Sequence, residues 1–271
     1  MPVEFKDDKK VWQRRSPKQA LMHWVTSLCI AALVLFCVYL VAEQTTWSFV
    51  WTAGVQANDL ASRMVPPNWS YAPFLWSALV ETIHIATLGT ILGVMFASPL
   101  AFLCARNTTP SRHLVRPLAL VVLVTSRSVN SIIWALLLVV ILGPGMLAGI
   151  IAIALRSVGF VGKLLYESIE EIDPRTVEAI AATGASPPQV LTFGIIPQIA
   201  PAFAGISIYR WDINIREATV LGLVGAGGIG LELQGAIDTL AWSKVSIIFL
   251  AILATVVLSE WVSARARQAV T

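Results

Sequence analysis

The sequence predicts an all-α polytopic membrane protein of about six transmembrane helices, with both termini in the cytoplasm. Three observations carry this. Only 13% of the 271 residues are charged and 56% are hydrophobic, against roughly a quarter charged in a soluble domain. Apolar runs of about 20 residues recur, the length that crosses a hydrocarbon core of about 30 Å. Lipid offers their backbone no partner but itself, so they must be helical. Finally, the basic residues are sorted onto alternate connections.

Taken in order, a basic segment (Lys6, Lys9, Lys10, Arg14, Arg15, Lys18) precedes the first apolar run, 21–42. That run is too long for a signal peptide and no small-x-small cleavage site follows, so it reads as a retained span. Residues 1–20 read as a cytoplasmic or interfacial segment with Trp12 at the headgroups, and 21–77 as the first span and an outer loop. The loop 43–77 is rich in Trp47, Trp51, Trp69, Tyr71 and Trp76, as an interfacial belt is. Further spans are expected at 78–104, 114–142, 145–164, 194–215 and 244–263. The third is interrupted by a polar stretch, and the fourth follows the tight turn Gly143-Pro144-Gly145.

Orientation follows from the cations. Besides the N-terminal group, Arg106, Arg112, Arg116, Lys163, Arg175, Arg265 and Arg267 fall on one side, and only Arg63 and Lys244 on the other. The cysteines, Cys29, Cys37 and Cys104, lie in or at the end of apolar runs and read as reduced packing residues, with no disulfide framework or metal spacing.

The connection between spans four and five is more than a linker. Asp173-Pro174 is an N-cap followed by proline at the first helical position. The helix is expected to reach Thr183, with Gly184 as its left-handed stop. Ser186-Pro187-Pro188-Gln189 has the form of a capping box, opening a second short helix that ends near Gly194 and Pro197.

Several polar groups lie at membrane depth, where each charge is costly. Arg127, Ser128, Asn130 and Ser131 interrupt span three. In span five, Asp212 and Arg216 have the i,i+4 spacing of an intrahelical pair, and Arg210, Asn214 and Glu217 form a second stripe. Glu81 and His84 share a face of span two. Guanidinium and hydroxyl donors suit phosphate-like oxyanions, so these residues are candidates for a water-filled pathway. The alternative is that they only pair between helices. Asp212 and Arg216 read first as such a pair; Arg127 reads first as a pathway group, with Glu81 its candidate partner.

Other chemistry finds no support. Gly225-Ala226-Gly227-Gly228-Ile229-Gly230 fits G-x-G-x-x-G, but no βαβ unit surrounds it. There is no G-x-x-x-x-G-K-[ST] to cradle ATP, and His23, His84 and His113 are scattered, without a metal site or a hydrolase nucleophile motif.

The run from Glu178 to Gly184, with Pro197 beyond it, resembles the EAA loop of ABC importer permeases. Glu178, Ala179, Gly184 and Pro197 fall in register, Ile180 stands for the second Ala, and Gly194 stands for an Ile. Arg63–Ser70, Glu81-Thr82, Gly89-Thr90, Arg127-Ser128, Ile133-Trp134-Ala135 and the segment Asn214–Gly230 resemble the phosphonate-type members in order. The resemblance implies a type I importer permease core over 78–265, with a cytoplasmic coupling loop at 166–194. In it Glu178, Ala179, Ala182, Gly184 and Pro197 couple to the ATPase, and Gly225, Gly227, Gly228 and Gly230 pack near the outer gate. It further implies a bacterial inner-membrane location and pairing with a second, identical permease copy. The remaining partners are ATP-binding cassette subunits carrying ATP and Mg, and an extracytoplasmic solute-binding protein; this chain itself binds no cofactor. The solute expected is phosphonate or a related phosphorus oxyanion. The alternatives are a permease for another oxyanion or small solute, or a passive channel.

Overall fold

The computed structural model describes residues 3–6, 9–12 and 17–269. Of the basic N-terminal group, Arg14 and Arg15 fall outside the described residues. The chain divides into two compact units, Met1–Asp59 and Leu60–Thr271. The first holds a short antiparallel hairpin, β1 (Val3–Lys6) and β2 (Lys9–Trp12), and α1 (Pro17–Gln44). At 1.5 Å per residue the 28 residues of α1 exceed a bilayer core. Apolar side chains such as Trp24, Leu28 and Leu33 stand out all round it, the surface that lipid requires. Cys29 and Cys37 are exposed on α1, so only the buried Cys104 is a packing residue.

The segment expected as an outer loop is mostly helix: α2 runs Trp47–Met64. Trp47, Trp51, Trp69 and Trp76 are all exposed, as an interfacial belt would be.

The second unit is helical throughout. Its long elements are α3 (Ala72–Cys104), α4 (Val115–Ser128), α5 (Ser131–Leu142) and α6 (Met146–Glu170). Four more follow: α7 (Pro174–Ala182), α8 (Pro187–Val190), α9 (Ile196–Leu221) and α10 (Ile229–Asp238). The last is α11 (Trp242–Gln268). Among the described residues, five helices are long and apolar enough to cross a membrane, or six if α4 and α5 form one broken span.

The predicted third span is therefore two helices, bent by 88°. The break has a local cause. Val129 is extended, and Asn130 caps α5, its Oδ1 accepting the Ile132 N–H at 3.1 Å. Its side chain satisfies a backbone donor that a continuous helix would have paired internally.

The core forms where α3 crosses α6. Gly89 and Gly93, one turn apart on α3, meet Ile153 and Ser157 of α6; a Cβ on Gly93 would lie 2.5 Å from the Ser157 Cβ. Helices in lipid gain little from burying apolar groups and hold together by such close approach. Ile85, Ala86, Ile153, Ile215 and Ala218 close this core around the crossing of α3, α6 and α9.

At one end of α6, Glu170 gathers the connection between α3 and α4. Its carboxylate accepts the Arg106 backbone N–H at 2.9 Å and pairs with Arg116 at 3.4 Å, while the Arg116 Nε donates to the Cys104 carbonyl at 2.9 Å.

The loop between spans four and five holds α7 and α8. Asp173 caps α7 by accepting the Arg175 N–H at 2.9 Å, and Gly184 has φ +82°. The Ser186 N–H donates to Gln189 Oε1 at 2.8 Å, the return half of a capping box. The second short helix does not end at Gly194 and Pro197. It passes through a single π turn, Leu191–Ile195, into α9. Pro197 falls in the first turn of α9, directly after the π turn.

The glycine run after α9 is a tight chain reversal leading into α10. The buried hydroxyl of Thr82 anchors it, accepting the Ile229 N–H at 2.8 Å while donating to the Ala78 carbonyl at 2.8 Å. Thr82→Val keeps the shape and strands a buried N–H, so it is expected to lower stability by about 1–3 kcal/mol. Thr82→Ser should lose little. Thermal unfolding in detergent compares them, and equal midpoints would show that the bond carries no weight.

Candidate functional site

α9 brings five ionisable or amide groups within two turns, and the neighbouring helices sort them into a buried set and an open set. In the buried set, Arg210 is 2% exposed; its Nε donates to Ser157 Oγ at 2.9 Å and its guanidinium lies 5.1 Å from the Phe160 ring centre. Asn214, fully buried, donates to Thr90 Oγ1 at 2.7 Å and to Ser157 Oγ at 3.1 Å. These bonds pin α9 to α3 and α6. Arg210 and Asn214, expected to line a pathway, are buried and hydrogen-bonded here, because α3 and α6 present hydroxyls to their face of α9.

The open set lines a cavity of about 360 Å3 between the start of α5, the middle of α6 and the C-terminal half of α9. That lies within the range of about 300–1,000 Å3 common to small-molecule sites. Asn130, Ser131, Arg156, Arg216 and Glu217 supply its polar lining; Ile132, Ile213 and Val220 supply the rest. Arg156 was not anticipated from the sequence. Its Nη1 lies 3.2 Å from Glu217 Oε1, 3.1 Å from Ser131 Oγ and 3.4 Å from Asn130 Oδ1. Glu217 Oε2 lies 3.4 Å from Arg210 Nη2, so one carboxylate joins the buried guanidinium to the open one.

Arg216 pairs with Asp212 one turn before it, as the spacing predicted, yet its side chain remains 48% exposed. Asp212 Oδ1 also accepts the Ser259 hydroxyl of α11 at 2.9 Å. Three guanidiniums (Arg156, Arg210, Arg216) thus face two carboxylates (Asp212, Glu217), leaving the cluster one positive charge.

The remaining candidates lie elsewhere. Arg127 is exposed and packs where α4 crosses Gly159 of α6, above a cleft of about 50 Å3 that it shares with Lys163 and Tyr166. The Ser128 hydroxyl donates to the Val124 carbonyl one turn back, at 2.5 Å. Glu81 sits against Gly227 beside Met146. Met146 and Gly159 are thirteen residues apart on α6, about 20 Å along its axis, so Glu81 is not the partner of Arg127.

The glycine run is built by backbone demand. Gly225, Gly227 and Gly228 have φ +88°, +84° and +72°, and Gly222 and Gly230 are in backbone contact.

In the loop, Glu178, Ala179, Ala182 and Gly184 are exposed. The two departures from the EAA pattern touch each other. A Cβ on Gly194 would lie 3.4 Å from Ile180 Cδ1 and 3.6 Å from Val177 Cα. The larger residue at 180 thus fills space that the smaller residue at 194 leaves, and α7 remains packed on the π turn.

Comparison with known proteins agrees with this architecture. Residues 89–270 match the family model described as "Binding-protein-dependent transport system inner membrane component". A phosphite transport system permease protein, PtxC, of Stutzerimonas stutzeri is 43% identical over 201 residues, covering 74% of this chain and 73% of that protein. A phosphate-import permease protein, PhnE, of Mycolicibacterium smegmatis is 37% identical over 242 residues, covering 88% of this chain and 44% of that protein. Among solved structures, an inward-facing form of the MetNI methionine ABC transporter superposes with TM-score 0.65 at 19% identity, over 75% of this chain and 99% of the other. The relatives are permease subunits, not enzymes. The chain therefore belongs to the family of binding-protein-dependent transport system inner membrane components, as a multi-pass membrane permease of the type I ABC importer fold.

Proposed function

We propose that this permease carries phosphonate or a related phosphorus oxyanion, and that the solute passes the cavity lined by Arg156 and Arg216. The observation that carries this reading is the excess positive charge of that cluster, presented to an open cavity by guanidiniums. Arg contacts such oxyanions through paired N–H donors, and Ser131 and the Asn130 amide offer more. The names of the phosphite and phosphate permeases at 43% and 37% identity favour the same solute class. Arg127, about one helical turn beyond Arg156 along α6, would take the solute next on its way inward.

The partners follow from the same reading. α7 with Gly184 and Pro197 docks an ATP-binding cassette subunit that holds ATP and Mg, while this chain holds no cofactor. A second permease copy supplies the other half of the pathway, and an extracytoplasmic binding protein delivers the solute. The sorting of Lys and Arg puts both termini and α7 in the cytoplasm and the glycine run at the outer gate. Reconstitution with the ATPase and binding protein tests this directly. ATPase stimulation by phosphonate, phosphite or phosphate is expected, and stimulation by none of the three would refute it.

Coupling has its own test. Nothing lies within 4 Å of a Cβ on Gly184, so a side chain there meets no neighbour, but φ +82° disfavours a β-branched residue. Gly184→Val is expected to separate ATP hydrolysis from uptake, while Gly184→Asn, which tolerates the left-handed region, keeps most coupling. The ratio of solute moved to ATP hydrolysed reads the difference; an unchanged ratio in Gly184→Val would refute the docking role.

A further inference from the structure

We propose that Glu217 selects oxyanions that still carry a proton, so that the cavity recognises a hydrogen-oxyanion monoanion and rejects a fully deprotonated one. This rests on the reading that the Arg156–Arg216 cavity lies on the solute's path.

A carboxylate is an unexpected lining for an anion site, since it repels the solute. Asp212 has a structural explanation: it is 3% exposed and held by Ser259 and Arg216. Glu217 faces the cavity with its side chain 15% exposed, each oxygen bearing one guanidinium contact, at 3.2 and 3.4 Å. A carboxylate oxygen has two acceptor sites and an ionised carboxylate cannot donate. A solute oxygen beside Glu217 must therefore bring its own hydrogen. Phosphorus oxyanions do so near neutral pH, since the second pKa of a phosphate group is about 6. Sulfate and sulfonates have no such hydrogen.

The charge balance points the same way. The cluster's single excess positive charge is neutralised by a monoanion, whereas a dianion would leave a net negative charge beside Glu217. Donors remain for the other solute oxygens. Among the described residues only one nitrogen of Arg156 is engaged, and the Asn130 amide nitrogen makes no contact of its own.

Methylphosphonate and methanesulfonate are tetrahedral monoanions of similar shape at mildly acidic pH, and only the first carries an O–H. Broadening of their methyl NMR signals by the detergent-purified permease–ATPase complex, without binding protein, measures affinity at the permease itself. The wild type is expected to favour methylphosphonate by roughly tenfold to a hundredfold, the strength of one hydrogen bond to a charged group. Glu217→Gln, whose amide can donate to a sulfonate, should bring that ratio towards unity. Should the variant not assemble, the wild-type ratio alone decides. Equal wild-type affinities, or an unchanged ratio in Glu217→Gln, would overturn the inference. If Arg156→Ala abolishes binding while the wild type does not discriminate, the cavity reading survives and the role of Glu217 falls. If the wild type binds neither anion, both fall.

Discussion

Arg156→Ala is expected to lower solute uptake by roughly a hundredfold or more while the permease still assembles with its partners. The guanidinium contacts Glu217, Ser131 and Asn130 at once, so it ties the break between α4 and α5 to α9 across the cavity. Its removal takes away the cluster's excess positive charge and leaves Glu217, among the described residues, paired with Arg210 alone. A unit charge at about 4 Å is worth around 4 kcal/mol at the effective dielectric of a partly solvated site. Assembly should survive, because Arg210, Ser157, Asn214 and Thr90 hold α9 independently of Arg156. Arg156→Lys keeps the charge but loses the planar fork, and should recover only part of the rate. Arg127→Ala should cost less than Arg156→Ala, since Arg127 lies outside the cavity. Uptake of labelled solute into proteoliposomes compares the three variants. Wild-type kinetics in Arg156→Ala would remove the cavity from the pathway.

How much of this was legible depends on whether the signal was local. The caps of α7 and the pairing of Asp212 with Arg216 follow from spacing along one helix, and both are found. The fates of Arg210 and Asn214 are not local: their burial depends on Ser157 and Thr90, which α6 and α3 bring from distant parts of the chain. The assignment of Glu81 to Arg127 failed for the same reason. Arg156 could have been found, since it is a cation in the middle of the apolar run of α6, the same signal that drew attention to Arg127. α2 is not legible from its aromatic residues, which suggest an interface but can equally sit on a helix. Gly194 and Pro197 suggested a helix end, but the π turn absorbs the first and the start of α9 accommodates the second.

Gly230→Ala is expected to lower stability by about 3 kcal/mol or more, the upper end of overpacking effects. The added Cβ would collide with the Thr219 carbonyl oxygen and lie 2.8 Å from the Gly222 Cα. Both are backbone atoms of the C-terminal end of α9 and its 3-10 extension, so no side chain can swing aside to relieve the contact. Gly235 supplies the control. It lies on the same helix, α10, with nothing within 4 Å of its Cβ position. Gly235→Ala should therefore be neutral or stabilising by roughly 0.5–1 kcal/mol, as alanine replaces glycine in a helix. Thermal unfolding of the two variants in one detergent separates packing from helix propensity, and equal midpoints would show that the turn yields freely. The consequence reaches the cavity lined by Arg216 and Glu217. Thr219 follows Arg216 by three residues, and its hydroxyl donates to the Arg216 carbonyl at 2.7 Å. A shift of Thr219 large enough to admit a methyl group moves the turn of α9 that carries Arg216 and Glu217. Folded Gly230→Ala should therefore also transport poorly, whereas a variant that melts early but transports normally would confine the role of Gly230 to packing.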